Sequence, residues 1–566
     1  MGDSTRSLEG RTVLAPMSAG SRAPALYRIP FSLAAVGLLL IAMQAGKPIA
    51  GLGLLFTLLF ASASVAWRSF AQRHAPALAL RGQADRALRS GAYRDARVLY
   101  ERALSLVQRD LPAGAPEVLL NCYSLATVHS MLHDRVRADD YLQRLLDGLD
   151  GRVPASWRAQ LAWLLRRVAH QHSLEGQHAR AIALCQSALE LVGPAPGADD
   201  TTVRSIVDDI AWIHHHAGEH PMAERNFREA LAIHEQFRDA ALEVAQAPAR
   251  GTTTADSPYR VPGPGVAPTT GGLDRAVAYS YLGLGWTLFE RARYEEARGC
   301  FERASVIANV AEAHVEHRGR SSSSLGVEIL RGRGAIEVTL GHYRLARTYY
   351  DEAQQLARAT GGTQVAALAI DLGWLARSTG DHPAAESAYA AAAEAIEQAT
   401  EGATTIACAL HEAVAELRRR QGRMRDALRE IQRASTLAQQ CLGLEHPRIA
   451  AIEAVASRIH TARGDHSEGE RCARRCLAVL RASCAADHPR FADGWLALGE
   501  LQLARAQFGA AQESFGYALR IREDALGHDH PELGEVLDGL AAVLRASGRE
   551  SEAAAVDERR DRVAAA

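Results

Sequence analysis

The chain repeats itself. A turn followed by a helix with small, large and small apolar positions returns at 91, 133, 176, 218, 292, 341, 380, 422, 464, 506 and 548, most intervals being 42 or 43 residues. The clearest copy is Gly91-x-Tyr93-x-x-Ala96-x-x-x-Tyr100-x-x-Ala103. The frame recurs as Gly176/Ala181/Cys185/Ala188, Gly218/Ala223/Phe227/Ala230, Tyr294/Ala297/Phe301/Ala304 and Gly341/Tyr343/Ala346/Tyr350/Ala353. It returns again as Gly380/Ala385/Tyr389/Ala392, Gly422/Ala427/Ile431/Ala434 and Phe508/Ala511/Phe515/Ala518, with weaker copies from His133, Gly464 and Gly548. A fixed period over eleven units predicts an all-α solenoid of stacked helix pairs.

Neither helix of a unit can bury its apolar face alone. Alanine at the first and third positions lets backbones approach, and the tyrosine or phenylalanine between them fills the gap to the next pair. Stacking then builds one continuous core. The composition agrees: hydrophobic residues are 48% and charged residues 23%, which excludes wholesale disorder, while aromatics are only 6%, which favours closely packed helices over sheets.

This pattern resembles the tetratricopeptide repeat family, and the unit length its kinesin-light-chain-like subclass. A Leu-Gly pair seven positions before the turn carries the resemblance further, at Leu284-Gly285, Leu372-Gly373 and Leu498-Gly499, with Trp495 where the family often has tryptophan. So does the subclass's acidic-His-Pro linker, present as Glu445-His446-Pro447, Asp487-His488-Pro489 and Asp529-His530-Pro531. The resemblance covers roughly residues 77 to 560. Repeats two, nine and eleven depart from the frame: Gly469 replaces alanine, and Asp557 stands where an aromatic belongs, so the last unit reads as a polar cap.

The resemblance implies that the first helix of each unit lines a concave groove and that the residue after the Leu-Gly position faces it. Those residues are His170, Trp212, Trp286, Trp374, Glu416, Arg458 and Glu500. An aromatic strip turning into a charged one suits a protein or peptide partner with apolar anchors and polar ends. Two readings of the tryptophans stand: they line the groove, or they pack against the neighbouring repeat. The clamp by which some family members grip C-terminal carboxylates does not carry over, because the repeats contain no lysine and the matching positions are not asparagine.

Two intervals are irregular. From 218 to 292 is 74 residues, and the extra piece contains RGTTTADSPYRVPGPGVAPTTGG, whose Gly, Pro and Thr predict a disordered loop over 241–273. It divides four repeats (77–240) from seven (274–566). From 292 to 341 is 49 residues, an excess placed around Arg318 to Ser324.

Ahead of the repeats, residues 29–67 are the most apolar stretch. As one helix they would reach about 58 Å, against a hydrocarbon core of about 30 Å. Gln44, Gly46, Lys47 and Pro48 break the stretch, so two transmembrane helices fit better than one, with Pro30 to Met43 short enough to lie in the interface instead. Arg22 and Arg28 precede the hairpin, and Arg68 and Arg73 follow it. The positive-inside rule then places both termini, the tail 1–28 and the array in the cytoplasm of a cell bounded by an inner membrane. Cleavage after Ala61-Ser62-Ala63 is the competing reading, and it requires an apolar region more than twice the usual length.

Little in the sequence points to chemistry. There is no GxxxxGK[ST], GxGxxG after a strand, HExxH or GxSxG, and the repeats leave no room for a catalytic domain, so no enzyme and no cofactor is expected. Lys47 is the only lysine. The net charge of -2 provides no global field for nucleic acid. Eight scattered cysteines without a CxxC suggest a reducing compartment. Two clusters invite a metal: His214-His215-His216 with His220, and His466, Cys472, Cys476, Cys484 and His488. Their spacings match no standard finger, and Cys472 and Cys476 fall where small apolar residues pack. Arg418-Arg419-Arg420, with Glu412, Glu416 and Glu430 near in sequence, reads as a solvated, salt-bridged helix face. The function expected is a membrane-anchored scaffold. A peptide-sensing regulator and a regulatory subunit of a separately encoded kinase or transferase are the alternatives.

Overall fold

A computed structural model describes residues 74–193, 200–246, 270–313, 323–358, 362–399, 403–443 and 445–565. These form 22 α-helices and no strand. The first helices of successive pairs are α1 (74–89), α3 (Pro116–Met131), α5 (Arg158–Leu174), α7 (Asp200–His216), α9 (Thr270–Glu290) and α11 (Ser323–Thr339). They continue as α13 (Thr363–Ser378), α15 (Ala403–Arg420), α17 (Pro447–Ala462), α19 (Phe491–Ala504) and α21 (Gly534–Ala546). The second helices are α2 (Tyr93–Val107), α4 (Arg135–Leu149), α6 (His178–Val192), α8 (His220–Gln246), α10 (Tyr294–Ala313) and α12 (Tyr343–Ala357). The last five are α14 (His382–Glu397), α16 (Met424–Cys441), α18 (His466–Ser483), α20 (Phe508–Leu526) and α22 (Glu550–Ala565).

All eleven turn positions read from the sequence take the left-handed conformation. Eight are glycine, with φ between 74° at Gly422 and 84° at Gly464. The other three, His133, Ala292 and Ala506, sit at φ 58° with a Cβ that this region disfavours. Ala292→Gly and Ala506→Gly are therefore each expected to stabilise the fold by about 1 kcal/mol, the relief of the Cβ clash exceeding the extra chain entropy of glycine. An unchanged urea midpoint would show that the turn tolerates the side chain.

The helix frame has the packing that the spacing predicts. Ala96, Tyr100 and Ala103 are fully buried, as are Ala297, Phe301 and Ala304, and Ala511, Phe515 and Ala518. The Leu-Gly pair has a steric cause. A Cβ on Gly373 would stand 2.2 Å from Cε1 of Tyr389, and Cβ atoms on Gly285 and Gly499 would each stand 2.8 Å from a ring carbon, of Phe301 and Phe515. The ring lies directly on bare backbone, and any side chain there would overpack the core.

The described residues fall into two compact units. Residues 74–171 with 186–193 form the smaller, and 172–185 with 200–565 the larger. In the smaller, Tyr100 is buried and its hydroxyl donates to Asp85 at 2.5 Å, while Leu125, Leu145, Leu161 and Leu165 fill the core.

In the larger, one hydrophobic cluster runs from Ala211 to Ile336, so stacking continues across the long insertion. The carboxylate of Asp208 on α7 accepts from Ser280 Oγ on α9 (2.6 Å) and meets His234 Nε2 on α8 at 2.8 Å, tying the helices on both sides. Helix α8 runs on to Gln246 and α9 begins at Thr270, so the expected loop 241–273 is helical at both edges. Residues 247–269 lie outside the described residues, as do the tail 1–28 and the apolar stretch 29–67. Among the described residues no helix is long and apolar enough to cross a membrane.

Candidate functional site

The seven strip residues lie six positions before their turns, on the first helix of each pair. His170 is half-buried in the smaller unit. In the larger unit the three tryptophans divide. Trp212 is 8% exposed, edge-on to Phe227 (5.4 Å between centroids), stacked on His216 (5.6 Å) and tilted against Tyr279 (5.3 Å). It packs between repeats. Trp286 and Trp374 remain half-buried. Trp286 stands edge-on to Phe301 at 5.5 Å, with the Arg331 guanidinium 5.8 Å from its ring. Trp374 lies at the margin of the cluster around Tyr350. The same register on the helix between them, α11, holds the small buried Ala335.

The charged end of the strip closes on itself. Arg458 on α17 donates to both carboxylate oxygens of Glu500 on α19 (2.7–3.1 Å) and to those of Glu535 on α21 (3.2–3.3 Å). Glu416 on α15 accepts from Arg419 (2.8 Å, both oxygens) and Arg420 (2.9 Å). Arg419 also reaches Glu535 at 3.0 Å, from the eighth repeat to the eleventh. Side chains three repeats apart can meet only across an inner face, so in this stretch the first helices line the concave side. Arg377 on α13 approaches Glu416 at 3.9 Å and extends the network towards Trp374.

Burial alone would push the Glu416 carboxyl up; its hydrogen bonds and the charges of Arg419 and Arg458 prevail and hold it at about 2. Glu535 is half-buried, and burial would raise it, yet Arg458, Arg420 and Arg419 keep it well below the usual carboxylate range. Burial would lower Arg458, and Glu500, Glu535 and Glu416 raise it well above its ordinary value. The network is ionised and internally neutralised.

Register in the sequence puts Glu416, Arg458 and Glu500 on one strip; Glu535, Arg377 and the inward turn of Arg419 and Arg420 join them only in the fold. The arginine run is salt-bridged as expected but only partly solvated, with Arg418 and Arg419 half-buried and Arg420 exposed: Arg419 and Arg420 pair inward with Glu416, and Arg418 pairs with Glu386. Of the acidic neighbours, Glu412 instead pairs with Arg448, and Glu430 with His411.

Among the described residues no group of three or more His, Cys, Asp or Glu is arranged to hold a metal. Cys472 and Cys476 are buried, and burial pushes both thiols up, to about 12 at Cys472. His214 pairs with Glu219 at 2.5 Å, and His488 accepts the Arg490 amide in the turn ahead of α19.

Family models for the tetratricopeptide repeat match residues 160–236, 327–398 and 405–482, and a second such model matches 277–309. Over these residues the chain carries tetratricopeptide repeats. Among curated proteins none matches. Of solved structures, the tetratricopeptide array is similar to the apo form of RapI (11% identity, 57% of this chain and 98% of that one, TM-score 0.42). It is similar also to yeast Tom70 (14%, 84% and 96%, TM-score 0.31). A third is a putative kinesin light chain from Podosopora anserina with nearly identical TPR-like repeats (15%, 43% and 99%, TM-score 0.29). At such scores none of them says what this array binds.

Proposed function

We propose that the chain is a membrane-anchored tetratricopeptide scaffold that captures a protein or peptide partner on the inner face of its repeats. The observation that carries this reading is the half-buried pair Trp286 and Trp374, flanking the small Ala335 on successive first helices. Large aromatic side chains that keep part of their surface in water suit apolar anchors of a partner. The arginine–carboxylate network next to them is already neutralised, so its role is to stiffen the wall that presents the tryptophans. Trp212 has its contacts within the fold and is left out of the site.

The anchor is the apolar hairpin 29–67, and its flanking arginines support a cytoplasmic array. Full-length protein is expected in the membrane fraction, released by detergent and not by salt. A periplasm-dependent phosphatase fused after Arg73 is expected to be inactive. Full-length protein that stays soluble without detergent would refute the anchor, and an active fusion would move the array to the other side.

A further inference from the structure

Three linkers of the larger unit share one geometry. His446, His488 and His530 each accept, through Nδ1, the backbone N–H two residues on: Arg448 at 3.1 Å, Arg490 at 3.2 Å and Glu532 at 3.1 Å. They lead into repeats nine, ten and eleven. Each also abuts the turn of the repeat five units earlier. A Cβ on Gly218 would meet Pro447 Cδ at 2.4 Å and His446 Cδ2 at 3.1 Å. His488 Nε2 lies 2.8 Å from the Glu290 carbonyl at the end of α9, and Arg490 pairs with the Glu290 carboxylate at 2.6 Å. His530 Nε2 and Pro531 lie against Gly341, each 3.4 Å from where its Cβ would be. A fourth contact keeps the offset: a Cβ on Gly176 would stand 2.5 Å from the Cys441 carbonyl oxygen.

A constant offset of five repeats means that successive superhelical turns touch along a seam made by the His-Pro linkers. We propose that these linkers are clasps that hold the larger unit closed, and that protonating their histidines releases the seam and opens the inner face as pH falls.

The chemistry follows from the two bonds of His488. Its Nδ1 accepts the Arg490 amide, so the ring is the tautomer whose Nε2–H donates to the Glu290 carbonyl. A second proton would sit on Nδ1, against that N–H, and abolish the bond. The surroundings are set against the cation. Around His488 stand Arg490, Glu290 and Asp487, and burial, ahead of Arg490, pushes its pKa down despite the acidic neighbours. Burial likewise holds His446 at about 3, with Arg448, Arg490 and His178 adding to it and Glu290 opposing. His220 lies in the same seam, 5% exposed with neither ring nitrogen hydrogen-bonded, and burial keeps it at about 4 beside Glu290, Arg490, His446 and His488. His530 is also lowered by burial, facing Glu532, Arg522 and His342.

Histidines held neutral in the closed form stabilise it fully above their ordinary value of about 6.5, and that stability is lost as the open form takes up protons below it. Glu290, with Arg490 and His220 overcoming the effect of burial, has a depressed carboxyl whose contribution is lost as pH falls below about 4.5, in the same direction.

Hydrogen exchange on the full-length chain at pH 7.5 and pH 5, corrected for intrinsic rates, reads the clasp directly through the amides of Arg448, Arg490 and Glu532. Their protection is expected to fall at least tenfold at pH 5 while α12 and α16 stay protected. The variant H446A/H488A/H530A should show the low protection already at pH 7.5 and lose the pH response. Linkers as protected at pH 5 as at pH 7.5, or a pH response that survives in the triple variant, would overturn the clasp. The wild-type comparison needs no variant, so a triple variant that fails to fold leaves the test standing. Only the consequence for a partner rests on the function proposed above: a seam that opens with partner affinity unmoved would contradict that function and not the clasp.

Discussion

Arg458→Ala is expected to destabilise the C-terminal half of the array by about 3 kcal/mol, the low end for removing one partner from a buried ionic group. Arg458 is one-tenth exposed and serves Glu500 and Glu535 at hydrogen-bond distance and Glu416 at 4.0 Å. Its loss takes the arginine from Glu500 and leaves Glu416 and Glu535 to share Arg419 and Arg420. Glu500 and Glu535 are about one-third exposed and can turn to water, which keeps the cost from the top of the range; Glu416, one-tenth exposed, cannot. The contrast is Arg429→Ala. That side chain is 67% exposed and pairs with Asp426 on the surface, so its loss should cost under about 0.5 kcal/mol.

Urea unfolding followed by helical circular dichroism separates the two variants. Acid supplies a second reading. The depressed Glu416 carboxyl contributes stability above its ordinary value of about 4.5, and the contribution disappears as pH falls towards about 2. Arg458→Ala should flatten that acid limb, because the carboxylates it leaves have less to lose on protonation. Equal midpoints for the two variants would mean that the inner network is ornamental to the fold.

How much of this was legible in the sequence depends on how far apart the interacting residues lie. The eleven turns were, because each needs a left-handed residue at a fixed step and glycine supplies it in eight of them. The Leu-Gly pair was, because its contact with the following helix is local: Gly373 and Tyr389 are neighbours in one unit. The edges of the long insertion were not. Helices α8 and α9 run past the repeat boundary with sequence that the repeat pattern does not demand.

The charged network was half legible. Register put Glu416, Arg458 and Glu500 on one strip, but the meeting of Arg419 with Glu535 depends on how tightly the repeats curve, and no local spacing encodes that. The His-Pro linkers show the same limit more sharply. They stood out as a motif, yet His488 contacts Glu290 across 198 residues of chain. Trp212 and Trp286 hold the same register, and only their neighbours separate the buried ring from the half-open one: Tyr279 covers the first, while Ala335 follows the second on the next helix.

The measurement closest to the central proposal is the affinity of the chain's own partner for the W286A/W374A variant. The partner is first cross-linked to the full-length protein in membranes and identified, then titrated against wild-type and variant protein in detergent. Both rings are partly wet, so the double variant should lose less stability than the about 3–5 kcal/mol that truncating each fully buried tryptophan would cost. Binding should respond far more strongly. Anchors at an interface centre contribute about 2 kcal/mol or more each and do not simply add, so a Kd weakened by at least about 30-fold is expected while the helices remain folded. Wild-type affinity in the folded double variant would contradict it and move the partner off the inner face.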